Sequence, residues 1–192
     1  MNKPDRKKLI IALILFAAIV LVSCLIRIDV ASDGNGEALV RRNGNPAGSH
    51  VNLMLLMMLA ASVLLDIPYG ILVCAVAGLV SELFISIAVK GAAAYAVPSM
   101  IVSAIISFIA AKGIKKDHTW IGILKACSVS AVVAVVCYFL FDLIIMNDYD
   151  IASHMLPINI LSGLVNVAAA VPVIKVISVM IYKKDSSINT AV

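Results

Sequence analysis

The chain has 192 residues, of which 62 % are hydrophobic and only 14 % charged, with a formal net charge of +4. A soluble domain of this size would leave its surface largely apolar, so the composition calls for lipid as solvent. Long runs of Ala, Val, Ile, Leu, Gly and Ser suit closely packed helices and lack the period-2 alternation of a membrane barrel. The basic residues sit at the ends of those runs, where they set topology rather than bind nucleic acid.

Crossing about 30 Å of hydrocarbon takes roughly 20 residues of helix. The sequence therefore predicts one all-α transmembrane domain over 1–192, a bundle of about six helices. They fall at about 9–26, 51–65, 70–89, 92–111, 121–146 and 155–182, with Pro98 and Pro172 inside two of them. The second is short for a span, and Asp66-Ile67-Pro68-Tyr69-Gly70 closes it as a turn. Lys3, Arg6, Lys7 and Lys8, then Lys112, Lys115 and Lys116, then Lys183 and Lys184 mark one side of the membrane. The positive-inside bias makes that side the cytoplasm and places both termini there. The long connection 27–50, with its Asp33-Gly34-Asn35-Gly36 and Asn43-Gly44-Asn45-Pro46 turn formers, lies outside and is expected to act as a lid.

Leu21-Val22-Ser23-Cys24 after a basic, apolar start also has the form of a lipoprotein signal. An uncut first helix is the preferred reading, because it agrees with the charges at both ends of the chain. Cys24, Cys74, Cys127 and Cys137 lie in apolar runs without CxxC spacing and read as packing residues.

Depth is the informative property of the polar residues within the spans. An ionisable side chain at the bilayer centre costs about 2.5–3.5 kcal/mol on insertion scales, so each calls for a reason. Given the topology above, Glu82, Tyr95, Ser99, Tyr138, Asp142, Asn159 and Asn166 start from the outer end of four different helices. Tyr138 and Asp142 share a face, as do Asn159, Gly163 and Asn166 at i, i+4 and i+7. The cytoplasmic halves carry little besides Lys125 and Lys175, both near enough to the inner surface to snorkel. Any one of the seven could serve only as interhelical glue. As a set at one depth they predict a substrate pocket open to the outside, with aromatic rings to stack a flat ligand and acids and amides to orient its polar edge.

No GxxxxGK[ST], HExxH or GxSxG stretch occurs, and His50, His118 and His154 are expected in loops. Enzymatic activity is therefore the weaker class, and no catalytic residue, cofactor or metal site is expected.

Three stretches resemble one known family. Gly70–Phe84, GILVCAVAGLVSELF, is similar to a glycine- and alanine-rich third helix ending in an acid. Tyr95–Ile106, YAVPSMIVSAII, resembles the start of a fourth helix, with Ser103 and Ala104 where a lysine-glycine pair is frequent. Tyr138–Asp142, YFLFD, with Leu156–Gly163, LPINILSG, resembles the fifth and sixth helices, with Asp142 in place of a common glutamate. The family is the substrate-binding S components of energy-coupling factor (ECF) transporters. The resemblance implies a six-helix subunit of a prokaryotic plasma membrane that binds a water-soluble vitamin or related micronutrient near its outer surface. It also implies partners, a transmembrane coupling protein and two ATPase subunits, and a toppling of the loaded subunit within the membrane. The small residues Ala12, Ala17, Ala18 and Ser23 do not form the AxxxA docking face frequent in that family's first helix. Two rival readings are a structural protein of envelope assembly and a free-standing secondary transporter in which Glu82 or Asp142 carries a coupling proton.

Overall fold

The computed structural model of the chain describes residues 6–25, 27–29, 41–42, 45–46, 50–88 and 92–189. Six α-helices occur among them: α1 (Arg6–Leu25), α2 (Met54–Leu64), α3 (Ile67–Ala88), α4 (Ala96–Lys116), α5 (Trp120–Met146) and α6 (Tyr149–Asn189). Five are long and apolar enough to cross a bilayer; α2, at 11 residues, is not. In the connection between α1 and α2, β1 (Arg27–Asp29) pairs antiparallel with β4 (His50–Asn52), and β2 (Arg41–Arg42) with β3 (Asn45–Pro46). The remainder of the expected lid lies outside the described residues.

Local chemistry sets the helix ends, and several differ from the sequence reading. Ile67-Pro68-Tyr69-Gly70 is not part of a turn but opens α3, with Gly70 N donating to Asp66 O at 2.8 Å. Proline is at home in a first turn, where its missing N–H has no helical acceptor to lose. Pro98 likewise sits in the first turn of α4, because residues 92–95 form a separate 3-10 turn. The last helix begins at Tyr149 rather than Met155, taking His154 out of the expected loop. Its start is fixed by Asp148, whose Oδ1 accepts from Asp150 N at 3.0 Å and whose carbonyl accepts from Ala152 N at 3.2 Å. α5 is capped at both ends. Thr119 Oγ1 accepts from Gly122 N at 3.1 Å, and Asn147 closes the helix in the left-handed region at φ 49°.

Successive long helices pack side by side, α3 on α4, α4 on α5 and α5 on α6, while α1 covers α3 and α2. α2 is the central element. It is wrapped by α1, α3, α4 and α6, and most of its residues from Met58 to Val63 are fully buried. Two apolar clusters stack through the bundle. Leu59, Val63, Ile114, Ile123, Cys127 and Ile174 form one near the α4–α5 connection, on the side that the charge bias makes cytoplasmic. Ile19, Met54, Met58, Cys74, Val102 and Ile106 form the next, and Tyr138 and Phe141 pack against it.

The cytoplasmic corners are polar. Lys8 Nζ meets Asp66 Oδ2 at 2.7 Å, tying the start of α1 to the α2–α3 turn and holding the Asp66 carboxyl below its usual range. Hydrogen bonds from Thr119 hold Asp117 low in the same way. Lys175 reaches from α6 to His118 O at 2.7 Å and lies over the Trp120 ring, so its charge ends at the inner surface.

Candidate binding site

Six of the seven residues singled out by depth are joined by hydrogen bonds within one region of the bundle. Tyr95, ending the 3-10 turn before α4, donates its OH to Asp142 Oδ1 of α5 at 2.7 Å. Asn159 of α6 donates Nδ2 to Asp142 Oδ2 at 3.4 Å. On the neighbouring side, Ser99 of α4 donates to Glu82 Oε1 of α3 at 3.1 Å and lies 3.1 Å from Tyr138 OH of α5. A hydroxyl has one proton to give. With that proton on Glu82, the Ser99–Tyr138 contact has Tyr138 as donor, so a relay runs Tyr138 to Ser99 to Glu82. These four bonds among the described residues thus all lead toward a carboxyl group. Ser99 is fully buried and Asp142 is 4 % exposed, whereas Glu82, Tyr95, Tyr138 and Asn159 are half-buried.

Asp142 draws on neutral donors alone. The ion pair found among the described residues is Lys8–Asp66, at the opposite end of the bundle. The two carboxyls, two phenols, one hydroxyl and one amide come from α3, the start of α4, α5 and α6, each within about two turns of the outer end of its apolar stretch.

Asn166 stands apart from these six. Its Oδ1 accepts from Leu56 N at 2.8 Å and its Nδ2 donates to Ser162 O at 2.8 Å, and the residue is 1 % exposed. Leu56 is the third residue of α2, whose own N-cap position, Leu53, offers no side-chain acceptor. An amide from α6 therefore takes one of the N–H groups that the first turn of α2 leaves open. Asn166 lies about 16 Å along α6 from Met155, where the apolar stretch begins, so α2 starts near mid-membrane. Its 11 residues, about 16 Å, then reach the inner surface. Among the described residues β4, which leads into α2, also runs against α6.

Depth reasoning named Ser99 but overlooked the hydroxyls below it. Ser99, Ser103 and Ser107 recur every fourth residue on α4 and are all buried. Ser62 donates to Met58 O at 2.6 Å, and its Oγ lies 2.9 Å from Ser107 Oγ. Opposite them, Gly78 of α3 is so close that a Cβ there would stand 2.5 Å from Ser103 Oγ and 2.8 Å from Ser99 O. The i, i+4, i+8 spacing of Gly70, Cys74 and Gly78 against Ser99, Ser103 and Ser107 was the available signal.

No family model matches the sequence, and neither does any curated protein. Among solved structures, that of the S component of a bacterial ECF transporter matches with a TM-score of 0.62 at 15 % identity, covering 95 % of this chain and 97 % of that one. The chain is a multi-pass membrane bundle with the S-component fold.

Proposed function

We propose that this chain is the substrate-binding subunit of an ECF-type uptake system in a prokaryotic plasma membrane, carrying a water-soluble vitamin or related micronutrient. Its partners are a transmembrane coupling protein and two ATPase subunits, which bring the P-loops that this sequence lacks. The observation that carries the reading is the convergence of polar side chains from α3, α4, α5 and α6 at the outer end of an S-component fold, over an apolar inner half. Glu82, Tyr95, Ser99, Tyr138, Asp142 and Asn159 are the contact set. Asn166 fixes the start of α2 beneath them, and the 27–50 connection is the cover. Their rings and hydrogen-bonding groups suit a flat heterocycle with a polar edge.

Mass spectrometry of small molecules released from gently purified protein tests this reading, paired with thermal shift against a vitamin panel. The expected result is a near-stoichiometric ligand that is lost in folded Asp142→Ala or Asn159→Ala protein. Uptake by whole cells is expected to stop when the ATPase subunits are deleted; uptake that persisted on a proton gradient alone would sink the ECF assignment.

A further inference from the structure

Taking the outer cluster as the ligand site, we infer that its substrate carries a cationic nitrogen group that docks on Asp142 Oδ2. A carboxylate offers about four acceptor positions, two on each oxygen. Tyr95 takes one on Oδ1 with a short bond of 2.7 Å, whereas Asn159 takes one on Oδ2 at 3.4 Å, near the limit of a hydrogen bond. Asn159 is half-buried and its amide can turn away, so Oδ2 is the oxygen that a ligand can claim. With Asp142 4 % exposed, water supplies little of what the carboxylate still accepts.

The neutral surroundings of the Asp142 carboxyl select the chemistry of that ligand. No Lys, Arg or His among the described residues pairs with Asp142, and its two donors are neutral. A carboxylate at this depth gains most from a group that brings both positive charge and N–H or close C–H contact. The Tyr95 and Tyr138 rings beside it also favour a cation over an anion. An anionic ligand would repel an ionised Asp142 and a neutral one would bring it no counter-charge, whereas a cation supplies the charge that holds the carboxylate ionised.

The test uses full-length protein in detergent and a pyridine-ring series of differing charge: 1-methylnicotinamide (cation), nicotinamide (neutral) and nicotinate (anion). Thiamine, riboflavin and biotin join the series as larger cationic, neutral and anionic vitamins. Binding is read by isothermal calorimetry, and the co-purified ligand is identified by mass spectrometry. The cations are expected to bind at least about tenfold more tightly than their uncharged counterparts, the strength of one charge-assisted contact. Asp142→Asn, which keeps an acceptor for Tyr95, should abolish that preference. Circular dichroism and melting of the variant, together with the wild-type ranking itself, keep the result independent of folding. A neutral or anionic ligand bound most tightly by wild type, with its affinity unchanged in Asp142→Asn, would overturn the inference and leave the binding function standing. Failure to recover a ligand or to bind any member of the panel would overturn both.

Discussion

Asn166 uses both ends of its amide inside the protein, on Leu56 N and Ser162 O. Asn166→Leu keeps the volume but leaves the Leu56 N–H without its acceptor in an apolar layer, at a cost of about 1–3 kcal/mol. For a chain of this length, an apparent melting temperature lower by roughly 2–10 °C is expected in detergent; a variant melting with wild type would deny the capping role. The sequence placed Asn159 and Asn166 on one face of a helix, which the i+7 spacing guarantees. It could not tell that they meet different partners, because seven residues of rise separate them by about 10 Å along the helix. One reaches Asp142 of α5, the other the start of α2. The acids and tyrosines were legible for the opposite reason. In lipid a polar side chain is expensive enough that its depth alone carries information.

At the scale of elements, the α3–α4 seam is the closest approach beneath the site. Gly78→Val would drive a side chain into Ser103 Oγ and the Ser99 carbonyl. Overpacking of this kind costs about 1–3 kcal/mol, and the displaced α4 would lengthen the 3.1 Å Ser99–Glu82 bond. Both melting temperature and ligand affinity should fall, whereas a substitution on the exposed face at Leu72 or Ile87 should change neither. At the cytoplasmic end, Lys8–Asp66 joins α1 to the α2–α3 turn. The folded state depresses the Asp66 pKa below its ordinary 3.8, so the stabilisation is present above that value and is lost as pH falls through the depressed one. The pair is about half exposed and contributes at most a few tenths of a kcal/mol. A double-mutant cycle with Lys8→Met and Asp66→Asn should show a small coupling at pH 7 that disappears in acid. Helix existence was legible from apolar runs, while helix ends were not. Pro68 and Pro98 look like breakers in a string of letters but sit in first turns, and Asp148 starts α6 through contacts with its own backbone neighbourhood.

Across the whole molecule, polarity is layered. Hydrogen-bonding side chains gather at the outer end, two apolar clusters fill the body, and basic residues line the cytoplasmic edge. A ligand bound at the outer end adds contacts among α3, α4, α5 and α6 that the unfolded chain cannot make. At a hundredfold excess over Kd it should stabilise the fold by about 2.7 kcal/mol, and the melting temperature should rise with ligand concentration. A flat melting temperature across saturating ligand would argue that these side chains bind only one another. The half-length of α2 was only partly legible. Val51–Leu65 is a short apolar run, but its start is set by an asparagine 110 positions away.

That distance has a consequence for how the protein is made. A helix of 11 residues is too short to enter the bilayer alone, and its capping amide leaves the ribosome only after α3, α4 and α5 have been synthesised. The second helix in sequence is therefore expected to be among the last to settle. Chains truncated before Asn166 should leave a cysteine placed at Leu56 open to a membrane-impermeant maleimide, and chains extending through α6 should protect it. Equal protection in both would mean that α2 finds its place without α6.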